Sequence, residues 1–529
     1  MTTPLYYVNA EPHMGSAYTT IAADVVARFQ RLRGRRVTFV TGTDEHGEKI
    51  ALAASAKGQA PKQHCDGVVA AFQELWRLLD ISYDSFIRTT DAKHEAVVRA
   101  MLEQVWQRGD IYKANYEGWY CVGCEQYKDD GEMAPGNICP LHRTPCQERK
   151  EENYFFALSK YQRQIEELIE GDASFVQPAA RRNEVLGWVR EGLRDFSISR
   201  AAVAWGIPIP REPGQTVYVW FDALFGYASA LLQDDEAPNA EALAAVGWPA
   251  DVHLVGKDIL RFHAVYWPGM LLAAGLPLPR RVFAHGFLTK DGLKMGKSLG
   301  NVLEPGPLVR AYGSDAVRLF FTKEVLFGQD GDFSEQRFRD TVNASLANSV
   351  GNLANRALNL LHKNCAAALP AAAADVPVDN PLRAYAAAQV EAAAAAYDGL
   401  ALHEAVEAAL AVAARGNLYM AKTEPWTAYK KGSDADKAAA GLNLVAVLEA
   451  ARIVAVLLSP VTPRFAARMY DALGFEADAF NSLRWVDAAW GALPAGQDFP
   501  KPVPLFARIE GDTFVSEAAP AKALATAAT

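Results

Sequence analysis

Residues 4–47 read PLYYVNAEPHMGSAYTTIAADVVARFQRLRGRRVTFVTGTDEHG, and this stretch decides the fold class. Apolar runs at 4–8 and 37–41 predict two strands, and the pattern between them predicts a helix over 18–32. A strand, a tight turn, a helix and a second strand in this order form a parallel βαβ unit. Ligands of such sheets bind at the carboxyl ends of the strands, so we expect chemistry at the turn around His13 and at the GTDEHG segment.

The rest of the chain predicts an insertion, a second α/β segment and a helical part. Aromatic residues, prolines and cysteines at 114–150 interrupt the pattern, which resumes with TVYVWFDALFGY at 216–227 and DVHLVGKDILRFHAVYWP at 251–268. Beyond about residue 333, Ala/Leu periodic segments at 346–362, 383–397, 402–420 and 437–458 predict amphipathic helices that pack as a bundle. The predicted parts are 1–113 and 200–332 for the two halves of a doubly wound α/β domain, 114–199 for the insertion, 333–510 for the bundle and 511–529 for a disordered tail.

The composition favours an intracellular protein of several domains. A chain of 529 residues exceeds what one hydrophobic core supports and should form about three or four domains. No uninterrupted apolar stretch reaches about 18 residues, and the N-terminus lacks the pattern of a secretory signal, so we expect a cytoplasmic protein with no membrane partner. The net charge of −9 argues weakly against a general nucleic-acid binder but allows a local basic face.

Two short motifs have the chemistry of a nucleoside triphosphate site. The first, PHMG, offers the imidazole of His13 beside Gly15, which lets the backbone approach a phosphate. The second, KMGKS, offers Lys294 and Lys297 in a glycine-containing loop that follows a predicted strand. Phosphoryl chemistry develops charge on the phosphate oxygens, and cationic donors placed in advance stabilise that charge.

Four metal-ligand residues lie close together in the predicted insertion. Cys121 and Cys124 form a CxxC pair, and after fourteen intervening residues Cys139 and His142 form a CxxH pair. Paired knuckles with this spacing favour tetrahedral zinc in a closed structural site, in a compartment that keeps thiols reduced. Cys146 is an alternative fourth ligand that the sequence leaves open.

The two phosphate motifs resemble the HIGH and KMSKS signatures of class I aminoacyl-tRNA synthetases. The segments YYVNAEPHMG, VWFDALFGY and GKDILRFH are similar to those of the methionyl-tRNA synthetases in particular. This resemblance implies a Rossmann-type catalytic domain with a zinc-bearing insertion, followed by an all-α anticodon-binding bundle. It also implies that L-methionine reacts with Mg²⁺-ATP to give methionyl-adenylate, from which the acyl group passes to the 3′ end of tRNA(Met).

The resemblance also implies roles for individual residues. His13, Lys294 and Lys297 would be catalytic, and Gly15, Ser16 and Ser298 would join them in binding ATP. Asp44, at the end of a predicted strand, would be the counter-ion of the methionine ammonium, because an unpaired cation in a partly dry pocket is costly. The remaining methionine-binding residues would be Leu5, Tyr7, Trp220, Ala223, Tyr227, Ile259 and His263, which form an aromatic slot for a flexible thioether.

Three positions depart from the family pattern. Ser16 replaces the last histidine of the HIGH motif, so one imidazole is lost and a hydroxyl takes its place. Gly296 replaces the middle serine of KMSKS, and Leu224 replaces a proline beside the methionine slot. Because His13, Gly15 and both lysines are retained, we interpret these changes as variation within an active lineage.

The helical part carries two segments that match the family's anticodon contacts. Asn352 and Arg356 are four residues apart and therefore lie on one face of a predicted helix. Trp426 follows Pro425 at the predicted start of another helix. Unstacked anticodon bases need stacking surfaces and hydrogen-bond donors, which these side chains supply.

Two alternative functions remain open at this point. One is another class I activity, such as a leucyl, valyl or cysteinyl synthetase or a small nucleotidyltransferase. A nucleotidyltransferase would need neither the bundle nor the insertion, and the branched-chain synthetases carry a large editing domain for which this chain has no room. The other is a catalytically inactive RNA-binding paralogue, which the presence of His13, Asp44 and both lysines opposes. We expect a monomer, since the chain ends in a short alanine-rich tail.

Overall fold

The computed structural model describes residues 1–128, 130–140, 143–201, 203–233, 239–295 and 301–511. The chain divides into two compact units. The first unit comprises Met1–Pro12, Thr38–Leu75 and Tyr83–His285. The second comprises His13–Val37, Trp76–Ser82 and the chain from Gly286 onward.

The described strands and helices have the following bounds. The strands are β1 (Thr2–Tyr7), β2 (Val40–Asp44), β3 (Ser85–Arg88), β4 (Ile111–Cys121), β5 (Gln126–Lys128), β6 (Gln147–Phe156), β7 (Val176–Gln177), β8 (Phe196–Ser197), β9 (Ser199–Arg200), β10 (Pro208–Ile209), β11 (Glu212–Val217), β12 (His253–Gly256), β13 (Val282–His285), β14 (Leu288–Lys290), β15 (Leu293–Lys294) and β16 (Gly331–Phe333). The helices are α1 (Met14–Leu32), α2 (Glu48–Ala56), α3 (Pro61–Leu78), α4 (Ala92–Gln107), α5 (Gln162–Gly171), α6 (Ala179–Arg190), α7 (Val219–Leu224), α8 (Gly226–Ser229), α9 (Ala240–Ala245), α10 (Trp267–Ala274), α11 (Pro305–Tyr312), α12 (Ser314–Glu324), α13 (Glu335–Val342), α14 (Asn352–Asn364), α15 (Pro381–Asp398), α16 (Leu402–Thr423), α17 (Pro425–Lys431), α18 (Asp434–Leu458), α19 (Pro463–Ala472) and α20 (Ala477–Asn481).

A six-stranded parallel sheet forms the centre of the first unit. Its strand order is β3-β2-β1-β12-β13-β7, and every neighbouring pair is parallel. β2 and β13 are buried along their whole length, as expected for strands with both faces covered. The predicted doubly wound α/β fold is therefore confirmed.

The boundaries of β2 and α1 differ from the sequence-based prediction. β2 was predicted at 37–41 but spans Val40–Asp44, because Gly42 lies inside the strand and does not begin the turn. A Cβ atom at Gly42 would lie 2.0 Å from the Ile87 carbonyl oxygen of β3, so the close approach of the two strands requires glycine there. α1 begins at Met14 and not at residue 18, because His13 caps it.

The insertion in the first unit is built on antiparallel sheets. β4 and β6 form a long hairpin that pairs Ile111 with Phe156 at its base and Tyr120 with Gln147 near its tip. β5 and β8 complete this four-stranded sheet, and β9, β10 and β11 form a smaller one. The cysteine-rich turn therefore lies at the far end of the β4–β6 hairpin, between its two strands.

The second unit is mainly helical and has a buried ionic centre. Arg318 of α12 contacts Asp24 of α1 at 2.6 Å, and both side chains are fully buried. Arg318 also donates to the carbonyl oxygens of Pro460 and Val461, each at 2.8 Å. This guanidinium thus joins α1 and α12 to the turn between α18 and α19.

The helices of the second unit pack as the predicted bundle. Helices were predicted near 346–362, 383–397, 402–420 and 437–458, and α14, α15, α16 and α18 occupy these regions. A π-helical segment at Asn343–Gly351 precedes α14, so the first predicted helix is not regular throughout. α15, α16 and α18 pack against one another in pairs.

One helix in the described part of the chain is long and apolar enough to cross a membrane by length and composition alone. This helix, α18, has an 18-residue window of mean hydropathy 2.0, of which 89% is buried inside the protein. The window contains a buried ion pair between Glu449 and Arg452 at 2.7 Å. The Glu449 carboxylate also accepts from the backbone N–H groups of residues 491–493, and such a hydrogen-bonded pair is typical of a core helix.

Candidate active site

A buried carboxylate with an unused hydrogen-bond acceptor lies at the carboxyl end of β2. Asp44 is only 6% exposed and pairs in register with Tyr7 at the end of β1. Among the described residues, Asp44 Oδ1 has no hydrogen-bond partner. Burial raises the pKa of Asp44 well above its usual range, and the nearby Asp222 and Glu125 carboxylates raise it further. An ionised Asp44 therefore requires a cation.

An aromatic slot lies in the same unit. Trp220 stacks on Phe262 with ring centroids 3.8 Å apart and planes 5° apart. Ala223 is one turn further along α7. A π-helical segment at Phe262–Tyr266 carries His263, and such segments are frequent at functional sites. Leu5, Trp220, Tyr227 and Ile259 belong to the same hydrophobic cluster.

Hydrogen bonds that link Ile259, His263 and Tyr227 determine which atoms of the slot carry protons. His263 Nδ1 lies 2.9 Å from the Ile259 carbonyl oxygen, which can only accept, so Nδ1 carries a proton. Burial lowers the pKa of His263 to about 4, so the ring is neutral and its Nε2 accepts. The Tyr227 hydroxyl, 2.6 Å from Nε2, is therefore the donor. The proton on His263 Nδ1 and the proton of the Tyr227 hydroxyl are therefore both donated to groups of the protein itself.

A buried cluster of two histidines and an aspartate, which the sequence did not predict, lies beside the slot. The Asp222 carboxylate contacts His46 Nδ1 and His94 Nε2, each at 2.6 Å. Burial opposes ionisation of Asp222, but the two rings outweigh it and hold the pKa of Asp222 below its usual range. His46 lies in GTDEHG and Asp222 in WFDAL, so both were inside motifs already quoted. Local sequence pattern does not reveal that His46 and Asp222, which are 176 positions apart, are in contact.

His13, in the second unit, combines an exposed ring with a structural contact. Its Nδ1 accepts from the backbone N–H of Gly15 at 3.0 Å and so caps α1. The Ser16 hydroxyl accepts from His13 N at 3.1 Å and donates to His13 O at 2.7 Å, which completes a capping box. Because Nδ1 accepts, the proton of the neutral ring is on Nε2. His13 is exposed, so Nε2 can donate to a ligand at the start of a helix.

The second phosphate motif is only partly described. Leu293 and Lys294 form β15, which pairs with β14, and β14 pairs with β16. Asp332 Oδ1 fixes the hairpin by accepting from Gly292 N at 2.8 Å. The side chain of Lys294 and residues Gly296, Lys297 and Ser298 lie outside the described part of the chain.

Three cysteines of the insertion converge on one point. The Sγ atoms of Cys121, Cys124 and Cys139 lie within 4.8 Å of one another, and Cys124 and Cys139 are 3.6 Å apart. His142 lies outside the described residues. Cys146 is buried in the same cluster. Three converging thiols, with the thiol of Cys146 buried in the same cluster, fit a tetrahedral metal site.

Two of the three predicted anticodon residues are in contact. The guanidinium carbon of Arg356 lies 5.6 Å from the centre of the Trp426 ring. Trp426 is 37% exposed and follows the buried Pro425 at the start of α17. Asn352, the first residue of α14, is exposed one turn before Arg356. An exposed indole with a cation over its face is unusual for a core tryptophan and suits a binding surface.

Comparison with known proteins supplies the family. Residues 1–148 and 136–358 match a family described as class I tRNA synthetases (M), and residues 369–519 match the anticodon binding domain of methionyl tRNA ligase. The chloroplastic/mitochondrial methionine–tRNA ligase of Arabidopsis thaliana is 56% identical over 510 residues, 96% of this chain and 83% of that protein. The methionine–tRNA ligase of a Nostoc species is 50% identical over 517 residues, 96% of this chain and 97% of that protein.

A solved structure agrees with these matches. Methionyl-tRNA synthetase of Mycobacterium tuberculosis, in complex with methionyl-adenylate, superposes with a TM-score of 0.90 at 39% identity. The match covers 96% of this chain and 99% of that one. The sequence identity to these proteins thus extends over nearly the whole chain. It includes the parallel sheet, the cysteine-bearing insertion and the helical bundle. The chain belongs to the methionyl-tRNA synthetase family of class I aminoacyl-tRNA synthetases.

Proposed function

We propose that this chain activates L-methionine with ATP and transfers the methionyl group to the 3′ end of tRNA(Met). The observation that carries the proposal is the buried Asp44 carboxylate, whose Oδ1 has no partner among the described residues. An amino acid brings an ammonium group that satisfies both the charge and the hydrogen bond. The aromatic slot of Trp220 and Tyr227 in the same unit then receives the side chain.

The slot selects methionine mainly by shape and polarisability. A thioether against aromatic rings gains about 0.3–1.5 kcal/mol per contact, and each methylene of misfit costs roughly 1–3 kcal/mol. Sulfur can only accept a hydrogen bond, and Tyr227 already gives its proton to His263. A hydrogen bond from the Tyr227 hydroxyl to the sulfur would therefore require Tyr227 to give up its hydrogen bond to His263 Nε2. Leu5, Ala223 and Ile259 complete the apolar wall.

Adenylate formation asks the protein for positioning and charge stabilisation. A carboxylate oxygen of methionine attacks the α-phosphorus of ATP, and the bond to pyrophosphate breaks. We assign contacts with the ATP phosphates to His13 Nε2 and the backbone at Gly15, with Ser16 acting through the cap it shares with His13. Lys294, Lys297 and Ser298 would hold the departing pyrophosphate. Mg²⁺ that enters with ATP would share the neutralisation of the phosphate charge.

Transfer to tRNA uses no further covalent chemistry of the protein. A hydroxyl of the terminal ribose attacks the carbonyl carbon of methionyl-adenylate, an ester forms, and AMP leaves. We propose that Trp426 stacks on an unpaired anticodon base while Arg356 and Asn352 donate to base edges. Because this surface is in the helical bundle, its loss should affect tRNA charging and not adenylate formation.

A structural zinc ion would be held by Cys121, Cys124 and Cys139 together with His142 or Cys146. Four protein ligands leave no position for water, so the ion would supply rigidity to the turn and no reactive group. Reduced cysteines of this kind suit a cytoplasmic location, which we propose.

We also propose that the chain follows the predicted domain limits. These are 1–113 and 200–332 for the two halves of the α/β domain, 114–199 for the insertion, 333–510 for the bundle and 511–529 for the tail.

Charging of purified tRNA tests the proposal directly. Wild-type protein with ATP and labelled methionine should esterify tRNA(Met) and leave a tRNA of another specificity uncharged. The Asp44→Asn variant should lose the reaction at low methionine concentration. Charging of a different tRNA with a different amino acid at a comparable rate would overturn the proposal. So would tight binding of tRNA(Met) with no charging, which would indicate an inactive RNA-binding paralogue.

A further inference from the structure

Glu125 brings a buried carboxylate from the cysteine turn to the edge of the parallel sheet. It directly follows Cys124 and is only 6% exposed. Its Oε1 accepts from the backbone N–H of Lys49 at 3.0 Å. Lys49 Nζ in turn donates to the carbonyl oxygen of Gly123 at 2.9 Å. Lys49 therefore holds the turn 123–125 at the start of α2 with both its backbone and its side chain.

The local backbone is shaped to admit this carboxylate. Glu125 has a φ of +51°, a left-handed conformation that is uncommon for a residue with a side chain. A Cβ atom at Gly47 would lie 2.6 Å from both Glu125 Oε1 and the Tyr7 hydroxyl. Gly47 thus leaves room for these two groups to approach the same point. The left-handed backbone of Glu125 costs free energy and directs its carboxylate toward the Tyr7 hydroxyl. Backbone strain of this kind is frequent at functional sites.

Three buried carboxylates lie in this region, those of Asp44, Glu125 and Asp222. Asp222 is hydrogen-bonded to His46 and His94. In the described part of the chain, neither Asp44 nor Glu125 forms an ion pair. Lys49 and Arg200 act on Glu125 electrostatically, but the Lys49 ammonium donates its hydrogen bond to a carbonyl oxygen. Glu125 is one of the causes of the raised pKa of Asp44, after burial and Asp222. Two buried acids that influence each other and form no ion pair can receive a further cation.

We infer that Glu125 is a second carboxylate of the amino-acid site, which draws the α-ammonium of the substrate toward Asp44 and Tyr7 from the side of the insertion. The inference rests on the proposed function. An ammonium has three donors, and a single carboxylate need not be its only acceptor. Glu125 supplies a further acceptor and a second negative charge. The turn that would hold a metal thereby also determines how tightly methionine binds.

A simpler role for Glu125 is a cap at the start of α2. Lys49 is the second residue of that helix, and a carboxylate near a helix N-terminus is stabilising on its own account. Glutamine keeps an oxygen that can accept from Lys49 N but removes the charge. The Glu125→Gln variant therefore separates the two roles, since a cap survives it and an ammonium ligand does not.

Kinetics of methionine-dependent ATP–pyrophosphate exchange provide the test. Glu125→Gln should raise the KM for methionine about tenfold or more, as expected for a lost bond to a charged group, with a much smaller change in kcat. Its Tm should stay near that of the wild type, whereas Glu125→Ala should also lower Tm because the cap is lost. Glu117→Gln, at an exposed acid of the same insertion that pairs with Lys150, is the matched control and should change neither quantity.

Two inhibitors make the test specific for the ammonium. Methioninol keeps the ammonium but lacks the carboxylate, and its inhibition constant should rise in Glu125→Gln by the same factor as the KM. 4-(Methylthio)butanol lacks the ammonium, and its inhibition constant should not change. The ratio of the two constants is independent of any loss of folded protein in the variant. An unchanged ratio would refute the inference and leave Glu125 as a cap. A wild-type protein inactive with methionine would refute the proposed function itself.

Discussion

Replacement of Asp44 by asparagine should have opposite effects on stability and on substrate binding. The Asp44→Asn change keeps the shape of the side chain and removes its charge. In the free protein the Asp44 carboxyl group is buried beside Asp222 and Glu125, which raise its pKa, and one oxygen has no partner in the described part of the chain. Removal of a group that is costly to ionise and incompletely hydrogen-bonded should therefore stabilise the free protein by about 1–2 kcal/mol.

The methionine complex should respond in the opposite direction. There the carboxylate faces the ammonium, and removal of one partner of a buried ion pair costs about 3–5 kcal/mol. The affinity for methionine should therefore fall roughly 10²- to 10⁴-fold, with the apolar contacts of Trp220 and Tyr227 intact.

Calorimetric titration of methionine and thermal unfolding of the free protein measure the two effects. Tm should rise by a few degrees in Asp44→Asn, while methionine binding is nearly lost. Asp251→Asn, at an exposed ion pair with Arg280, should change neither. If Tm falls and methionine affinity is retained, Asp44 is an ordinary structural residue, and the argument from its unpartnered oxygen is refuted.

Four further predictions concern pH, the lysine loop, the metal and the anticodon surface. The pKa of Asp44 is raised in the free protein, and only its ionised form attracts an ammonium. The affinity for methionine should therefore be lost as pH falls through that raised pKa. Titrations of methionine at several pH values should show this loss of affinity in the wild type but not in Asp44→Asn. Lys297→Ala should lower kcat for pyrophosphate exchange about 10²–10³-fold, whereas a raised KM for ATP with unchanged kcat would assign it to ground-state binding. Cys121→Ser should release zinc measured by elemental analysis and destabilise the insertion, and an absence of zinc from fresh wild-type protein would contradict the site. Trp426→Ala should impair tRNA charging by one to two orders of magnitude, as loss of about 1–3 kcal/mol of stacking implies, and leave pyrophosphate exchange nearly unchanged; equal loss of both would make it a core residue.

The sequence predicted those features that depend on local pattern. The parallel βαβ opening, the cysteine pairs and the bundle follow from periodicity and spacing, and the structure has all three. The predicted β2 ended at residue 41 with its apolar run, whereas the strand continues through Gly42 to Asp44. Gly42 is required by the approach of Ile87 from β3, a contact between residues 45 positions apart that local pattern does not reveal.

The parts of the site that were missed depend on long-range contacts. Asp222 meets His46 and His94 only after the sheet and helices have assembled, so no single segment contains the signal. Glu125 appeared as one acid in a polar turn, and its approach to Gly47 becomes visible only in three dimensions. The contact of Arg356 with Trp426 likewise joins residues of two different helices and becomes visible only in three dimensions.

Amino-acid-dependent ATP–pyrophosphate exchange with a panel of amino acids tests the central claim most directly. The wild-type protein should exchange label rapidly with methionine and at least about tenfold more slowly with leucine, valine and cysteine, since one methylene of misfit alone is worth 10-fold or more. Exchange that is fastest with one of these other amino acids, or no exchange with any of them, would contradict the account of Asp44 and the aromatic slot as a methionine site.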